Sequence, residues 1–249
     1  MTMLKDKIIT IIPARGGSKG IHNKNIVDVM GFPLIAYSIV ASLTCKSGGR
    51  TIVDTDSEEI AQIAREYGAE VPYIRPKHFA SDSSLDKDWV NHAVKWFEDN
   101  ENFKPKYIVH LRPTTPFRDV VLLEAAIAKI IQVPEATSLR SVQRLEESPY
   151  KMFQKDEGFL KPYINYGEGE FYNLPRQSFP HAFYPNGYID ILKRETLNKG
   201  SLHGDKILSF ETPKVTELDC KDDLKQLHFE GKHSPIYYCL KFNDDSKKS

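Results

Sequence analysis

The sequence predicts an α/β fold with a mostly parallel central sheet. Apolar, β-branched runs such as residues 8–12 have the composition of strands that are buried on both faces. Single helical segments separate these runs, and that order is typical of βαβ units. The 249 residues, 40% hydrophobic and 27% charged, are sufficient to bury a large core in a soluble globular protein.

The first half of the chain alternates regularly. We expect strands at 8–12, 51–53 and 107–111, an extended segment at 71–74, and helices at 33–45, 58–67 and 86–98. Ser57 is a suitable N-cap for the second helix, because its hydroxyl can accept a hydrogen bond from the first turn. Gly68 suits the position after the end of that helix.

The second half begins with a helix at 120–131 and an extended segment at 136–142. The alternation stops at about 149–184, where aromatic, proline and glycine residues are frequent. This segment is either an irregular surface excursion or an arm that packs on a second subunit, which would keep its aromatic side chains out of water. Strands are then expected at 188–192, 206–210 and 236–240, with a helix at 222–229.

Charge and cysteine content exclude several classes of protein. The 34 basic and 34 acidic residues cancel, which disfavours nucleic acid and anionic membranes as partners. Residues 1–7 contain no apolar signal segment, and the apolar stretch at 120–133 is too short to span a bilayer. The three cysteines are an odd number without metal-site spacing. We therefore expect a cytoplasmic protein without a zinc site or disulfide framework.

The loop after the first strand carries the clearest functional signal. Residues 13–25 contain three glycines, which leave backbone N–H groups accessible to an anion, together with the cations Arg15, Lys19 and Lys24. This composition predicts a phosphate site and disfavours a merely flexible turn. The GxxxxGK[ST] pattern is absent, because Ile21 follows Gly20, and GxGxxG is also not met. An ordinary P-loop enzyme and a dehydrogenase are therefore disfavoured.

Several ordered motifs resemble those of the acylneuraminate cytidylyltransferases (CMP-sialic acid synthetases). They are PARGGSKGI at 13–21 with KNI at 24–26, DTD at 54–56, RP at 75–76 with ASD at 80–82, LRPTTPFR at 111–118, PRQ at 175–177 and PNG at 185–187. The resemblance covers roughly residues 8–224. It implies a Rossmann-like three-layer fold of the nucleotide-diphospho-sugar transferase type. Residues 1–148 and 185–249 would form the nucleotidyltransferase domain, and 149–184 a small irregular dimerisation arm.

The reaction implied by the resemblance is transfer of CMP from CTP to a nonulosonic, sialic-acid-like sugar, with release of pyrophosphate. Arg15, Lys24 and Asp219 are the expected catalytic residues. The nucleotide would be bound by Arg15, Gly16, Gly17, Ser18, Lys24, Asn25, Arg75, Ala80 and Ser83. Among these, Arg15 and Lys24 would contact phosphates and Asn25 the ribose, whereas a direct role for Lys19 is left open.

Magnesium is the expected cofactor. Hard oxygen ligands suit Mg²⁺, and Glu217 and Asp219 lie at i and i+2 on an extended segment, so their carboxylates face one side. The family resembled here has Asp-x-Asp at this place, so Glu217 is a departure. The alternative is a pair of solvated charges. Asp54 and Asp56 form a second pair, which we expect to hold the strand end and cap the next helix, with a metal or ribose role left open.

The acceptor site departs most from the family. Sugar-binding residues carried over by resemblance are Arg112, Lys151, Arg176, Asn186, Gly187 and Asp190. Arg112 stands where the family has Gln, Tyr184 where it has Arg, and Asp190 lies in GYIDI where it has GAIYI. The expected partners are CTP, an acidic sugar and a second copy of the chain. The alternatives are an enzyme of the same fold acting on a sugar 1-phosphate or 3-deoxy-octulosonate, and a non-catalytic nucleotide-binding protein.

Overall fold

The computed structural model describes residues 7–18, 20–81 and 83–248. Residues 1–6, Lys19, Asp82 and Ser249 lie outside this part of the chain. Three points raised by the sequence fall on these residues and stay predictions. They are the absence of a signal segment at 1–7, a direct role for Lys19, and the last residue of the ASD motif.

Ten strands and seven α-helices make up the described chain. The strands are β1 (Ile8–Pro13), β2 (Asp28–Val29), β3 (Phe32–Pro33), β4 (Arg50–Asp54), β5 (Tyr107–His110), β6 (Ser138–Arg144), β7 (Phe153–Asp156), β8 (Phe159–Pro162), β9 (Phe183–Lys193) and β10 (Ile207–Glu211). The helices are α1 (Leu34–Thr44), α2 (Glu58–Glu66), α3 (Asp86–Glu101), α4 (Val120–Gln132), α5 (Arg194–Asn198), α6 (Lys221–Gly231) and α7 (Pro235–Lys248). Within the described residues, none of these helices has the length and apolar character that a membrane crossing needs.

A six-stranded, mostly parallel sheet forms the centre, as predicted. Its strand order is β10-β6-β9-β5-β1-β4. Strand β1 is parallel to β4 and β5, and β10 is parallel to β6, whereas β9 is antiparallel to both of its neighbours. The chain returns from β6 to β9 without a crossover helix, and a parallel partner would need such a crossover. The antiparallel strand is thus a consequence of the irregular segment before it.

Helices cover both faces of the sheet and form three layers. Ile8 and Ile12 of β1 pack into one core cluster with residues of α1, α2, α4, α6 and α7. Ile9 and Ile11 point the other way, into a second cluster with Trp89 and other residues of α3 and α5. Alternate residues of β1 are therefore buried on opposite faces, as the continuous apolar run predicts.

Helix α2 begins and ends as its sequence predicts. The Ser57 hydroxyl accepts a hydrogen bond from the Ile60 amide at 3.4 Å. At the other end, Gly68 has a φ of +91°, which favours glycine over other residues.

Two predicted extended segments are different in the structure. Residues 236–240, predicted as a strand, lie in helix α7, where Ile236 and Leu240 are both 1% exposed and share one face. A five-residue apolar run does not distinguish a strand from one side of a helix. Residues 71–74 form no strand, since the pairing beside β4 is limited to a bridge between Ile52 and Glu70. Pro72 lacks the N–H that a continued ladder would use.

The segment at 149–184 is irregular, as predicted. It contains the hairpin of β7 and β8 and three 3₁₀ turns. Tyr150 stacks on the buried Phe179 with ring centroids 5.5 Å apart. In contrast, Phe159, Leu160 and Tyr163 are 75%, 67% and 68% exposed. The arm thus has a small core of its own and an apolar outer surface, and its role in dimerisation stays a prediction.

The turn before β4 provides a test of the fold. Gly49 has a φ of +70°, and a Cβ there would lie 1.9 Å from the carbonyl oxygen of Ile8. Gly158 has a φ of +90° but has nothing within 4 Å of such a Cβ. We expect Gly158→Ala to lower the free energy of unfolding by about 1–2 kcal/mol, the cost of a left-handed alanine. Gly49→Ala should lower it by roughly 4 kcal/mol or more, because the strand must also move.

Urea unfolding of both variants and of the unmodified chain measures these differences. If the two variants lose the same free energy of unfolding, the close approach of Gly49 to β1 adds nothing to the cost of a left-handed alanine.

Candidate active site

A cavity of about 430 Å³ lies at the carboxyl ends of β1 and β5. Loops at this edge of a parallel sheet are where ligands bind in open α/β folds. The cavity combines residues from four parts of the chain, among them Arg15, Ser18, Gly20, Lys24, Asn25, Arg75, Ser81, Ser84, Asp86, Trp89, His110, Arg112, Thr114 and Asp219. Much of the site predicted from the sequence is therefore brought together.

The loop after β1 is held by side chains that bond to its backbone. The Gly16 amide donates to Asp56 Oδ1 at 2.7 Å, and the buried Asn25 side chain donates to the Arg15 carbonyl at 2.9 Å. Arg15 Nη1 in turn lies 3.4 Å from the carbonyl of Ala80. Asp56 and Asn25 thus shape the loop around the cavity, and the predicted ribose contact of Asn25 stays a prediction.

Lys24 joins this loop to a segment that is distant in sequence. Its ammonium group lies 3.1 Å from Asp219 Oδ1 and 3.1 Å from the Leu218 carbonyl oxygen. The Leu218 amide donates to the carbonyl of Thr114 at 2.8 Å, which ties the same segment to the loop after β5. Lys24 and Asp219, both predicted to be catalytic, are therefore in direct contact.

The Asp219 carboxylate beside Lys24 is a hard oxygen ligand of the kind that divalent cations such as Mg²⁺ prefer. Asp219 lines the cavity with its side chain 70% exposed, so its oxygens are available to a ligand. Glu217 Oε1 accepts a hydrogen bond from Thr114 Oγ1 at 2.9 Å, and of the two predicted metal ligands only Asp219 is among the described residues that line the cavity. In the part of the chain described, no group of three or more His, Cys, Asp or Glu residues forms a metal cluster. A donor set of one or two carboxylates completed by phosphate oxygens is what Mg²⁺ commonly uses.

A buried ion pair forms the wall beside the loop. Arg75 Nη2 lies 2.8 Å from Asp54 Oδ2, and the two side chains are 3% and 0% exposed. The same nitrogen donates to the Asp54 carbonyl, and the guanidinium lies 5.2 Å from the Trp89 ring centroid. Asp54 thus holds the end of β4, as predicted, whereas Asp56 bonds to the loop after β1. The prediction that these two aspartates cap the next helix is wrong, because Ser57 is the cap. The contact of Arg75 with the base stays a prediction. In the structure, its guanidinium is paired with Asp54.

Four charged side chains alternate in sign at the β5 and β9 side of the cavity, and two of them, Asp86 and Arg112, line it. Arg112 Nη1 lies 2.8 Å from Asp190 Oδ2, and Arg112 Nη2 lies 2.9 Å from Asp86 Oδ2. Arg140 Nε lies 3.3 Å from the other oxygen of Asp190. Burial is the largest single influence on Asp190 and favours the neutral acid, but the charges of Arg112 and Arg140 and the hydrogen bond from Arg112 act together to hold the pKa below its ordinary value. We call Asp86, Arg112, Arg140 and Asp190 the four-charge cluster.

Arg118 fixes the loop that carries Arg112. It is 1% exposed and donates to the carbonyl oxygens of Arg112 at 2.7 Å and Tyr188 at 2.6 Å, and to the Ser38 hydroxyl at 2.9 Å. Burial lowers its pKa to about 9. The loop after β5 and the start of β9 are therefore joined through one cation whose partners are mainly carbonyl dipoles.

Other residues predicted for the sugar lie around the cavity or away from it. Asn186 is buried and donates to Thr212 Oγ1 at 2.7 Å, and a Cβ on Gly187 would lie 3.5 Å from Arg112 Cδ. Lys151 and Arg176 belong to the arm and do not line the cavity of their own chain. Arg176 instead lines a separate cleft of about 320 Å³. Ser83, predicted to bind the nucleotide, contacts the Ser81 hydroxyl at 3.1 Å.

The structure adds two polar residues that sequence reasoning missed. Asp86 stands in the first turn of α3, and His110 at the end of β5, where it lies 5.1 Å from the Trp89 ring. The sequence did contain one indication for His110, because it ends a predicted parallel strand, and ligands bind at the carboxyl ends of such strands. Burial lowers its pKa to about 3, and the charge of Arg112 acts in the same direction.

Because His110 is buried in its neutral form, we expect the fold to lose stability in acid. Because its pKa in the folded chain lies below the ordinary value near 6.5, the unfolded chain binds more protons as the pH falls through this range. The free energy of unfolding should therefore fall by roughly 2–3 kcal/mol more between pH 7.5 and pH 4 in the unmodified chain than in His110→Gln. Denaturant unfolding across this range measures the difference, and identical pH profiles would contradict it.

Comparisons with known proteins identify the family. Residues 9–156 match the family model described as "Cytidylyltransferase". The chain is 32% identical to N-acylneuraminate cytidylyltransferase of Escherichia coli O18:K1:H7, covering 88% of this chain but only 50% of that protein. It is 30% identical to CMP-N,N'-diacetyllegionaminic acid synthase of Campylobacter jejuni, covering 88% of this chain and 91% of that protein.

A solved structure of CMP:2-keto-3-deoxy-manno-octonic acid synthetase complexed with CTP shares the fold. The TM-score is 0.67 at 16% identity, over 91% of this chain and 99% of that one. A cytidylyltransferase from Leptospira borgpetersenii gives a TM-score of 0.59 at 13% identity, over 96% and 95% of the two chains. The family resemblance in the sequence is thus confirmed, and the chain belongs to the cytidylyltransferase family.

Proposed function

We propose that this chain is a magnesium-dependent enzyme that transfers CMP from CTP to a nonulosonic sugar and releases pyrophosphate. The observation that carries the proposal is the convergence of Arg15, Lys24 and Asp219 on one cavity beside a glycine-rich loop. Relatives named for N-acylneuraminate and N,N'-diacetyllegionaminic acid support the choice of acceptor class.

The loop after β1 is suited to the triphosphate of CTP. Arg15 and Lys24 supply positive charge, and the backbone amides near Gly17, whose φ is +67°, leave room for phosphate oxygens. Ser18 adds a hydroxyl donor. The cytidine would extend toward the wall that contains Arg75 and Ser81. These groups stabilise negative charge that develops as the bond to pyrophosphate breaks.

Asp219, with Glu217 beside it, would hold Mg²⁺ next to the phosphates. Bound magnesium would neutralise phosphate charge and orient the α-phosphate for attack. The contact of Lys24 with Asp219 keeps the carboxylate beside the loop until the nucleotide binds.

The acceptor would occupy the cavity on its β5 and β9 side. A hydroxyl of the sugar attacks the α-phosphorus of CTP, forming the new P–O bond as the bond to the β-phosphate oxygen breaks. The hydroxyl proton passes to solvent, and pyrophosphate leaves. The protein's main contribution is to hold the two reactants in position and to balance their charge.

The alternative acceptor, a sugar 1-phosphate, has less support. Arg112 in the sequence suits an additional phosphate, but in the structure both of its terminal nitrogens contact carboxylates. A phosphorylated acceptor would have to displace Asp86 or Asp190.

We also propose that the chain acts as a homodimer through the arm at 149–184. The exposed apolar side chains of Phe159, Leu160 and Tyr163 support this arrangement, since solvent exposure of such a surface is costly. Lys151 and Arg176 would then be available to a neighbouring subunit.

Substitution of Lys24 tests the phosphate site. Lys24→Ala should reduce turnover of CTP and N-acetylneuraminic acid by roughly 100- to 1,000-fold, because it removes a cation beside the leaving group. Pyrophosphate release measures turnover, and Lys225→Ala, which alters an 84%-exposed lysine, is the matched control. Near-normal turnover in Lys24→Ala would remove this residue from the reaction. Binding of CTP without any turnover by the unmodified chain would favour the non-catalytic alternative.

Substitution of Asp219 tests the cation site. Asp219→Asn should raise the Mg²⁺ concentration for half-maximal turnover by roughly tenfold or more, since a neutral amide is a weaker ligand than a carboxylate. Asp222→Asn, at an 84%-exposed side chain nearby, is the control. An unchanged magnesium titration in Asp219→Asn would contradict the assignment.

A further inference from the structure

The cavity has two ends that differ in charge. At the β1 end, Arg15 and Lys24 come from the loop after that strand. At the other end, Arg112 follows β5, and its partner Asp190 lies on β9, the next strand of the sheet. A nucleotide on the loop after β1 therefore leaves the β5 and β9 end to the acceptor.

The charges at the acceptor end cancel within the four-charge cluster. Arg112 and Arg140 supply two positive charges, and Asp86 and Asp190 supply two negative charges, all joined by contacts of 2.8 to 3.3 Å. His110, which lies beside them, is neutral at ordinary pH. Among the described residues that form this end, Arg112 is thus already neutralised and is poorly suited to bind a substrate carboxylate or phosphate.

Asp86 is the member of the cluster that is accessible to a ligand. Its side chain is 42% exposed, against 25% for Arg112 and 2% for Asp190. Oδ1 accepts from Trp89 Nε1 at 3.1 Å, and Oδ2 accepts from Arg112 Nη2 at 2.9 Å. Each carboxylate oxygen can accept a second hydrogen bond, so Asp86 offers two unfilled acceptor positions at the cavity.

We infer that Asp86 is the specificity-determining contact at the acceptor end, and that it selects an acceptor with a hydroxyl or amide N–H donor there. Arg112, Asp190 and Arg140 are positioning residues, which hold the Asp86 carboxylate toward the cavity. An acceptor that places a carboxylate or a phosphate here is rejected, because this negative group would face the Asp86 carboxylate with no free cation to balance its charge. This inference rests on the proposed function, since it assumes that the acceptor is a sugar.

The chain of contacts explains why the positioning residues act together. Asp190 is 2% exposed and bridges Arg112 to Arg140. Loss of one charge leaves a buried, uncompensated partner, which is costly, whereas loss of an opposite pair is tolerated better. Stability and acceptor selectivity can therefore be separated by experiment.

The test uses the full chain with CTP, Mg²⁺ and a panel of acceptors. The panel contains N-acetylneuraminic acid, its analogue with hydroxyl in place of the N-acyl group, and analogues that each lack one hydroxyl. Asp86→Asn should raise the acceptor KM by roughly 10- to 100-fold, the value of a hydrogen bond to a charged group, and leave the CTP KM unchanged. For the analogue that lacks the selected donor, Asp86→Asn should have no further effect. Asp222→Asn is the control.

A second pair of variants separates positioning from folding. Arg112→Gln should raise the acceptor KM and lower the melting temperature. Arg112→Gln combined with Asp190→Asn removes one charge of each sign and keeps the four-charge cluster neutral, so the melting temperature should recover while the acceptor KM remains raised. Recovery of both quantities would assign Arg112 a structural role only and overturn the inference.

The remaining outcomes distinguish failure of the proposed function from failure of this inference. Absence of turnover by the unmodified chain with every acceptor would refute the proposed function, and the inference with it. Turnover by the unmodified chain, combined with a raised CTP KM in Asp86→Asn or with an equal effect on every analogue, would refute the inference alone. A sugar 1-phosphate is assayed beside this panel, and its better use than N-acetylneuraminic acid would contradict both the proposed acceptor class and the inference.

Discussion

The site depends on the contact between Lys24 and the segment at 218–219. Lys24 begins a three-residue 3₁₀ turn, and the segment at 218–219 belongs to no strand or helix, so side-chain contacts must hold the two together. The Lys24 ammonium bonds to the Leu218 carbonyl and to Asp219, and Thr114 bonds to the same segment from the other side. These contacts place one cation and one carboxylate side by side at a strand end, which suits the metal-bound triphosphate that we propose.

Buried charges elsewhere in the protein serve to position loops. The pair of Asp54 and Arg75 holds the end of β4, and Arg118 joins the loop after β5 to β9 through carbonyl oxygens. A hydrophobic pair of similar size could stabilise the fold equally well. What the charged groups add is direction, because hydrogen bonds fix where each loop points. The carboxyl edge of the sheet is therefore preorganised before any ligand binds.

Local patterns predicted the elements whose own sequences determine them. The apolar run of β1, the Ser57 cap and the glycine-rich loop all depend on neighbouring residues, and each is where the sequence indicated. Features set by distant parts of the chain were missed. Strand β9 is antiparallel because of the arm before it, residues 236–240 become helical by packing on α1, and Asp86 meets Arg112 across 26 residues. No short window contains the information for such contacts.

A structure determined with CTP and Mg²⁺ tests the central claim most directly. We expect the triphosphate to lie against Arg15, Ser18 and Lys24, with the cation between a phosphate oxygen and Asp219. A triphosphate found away from the loop after β1, for example in the cleft that Arg176 lines, would contradict it.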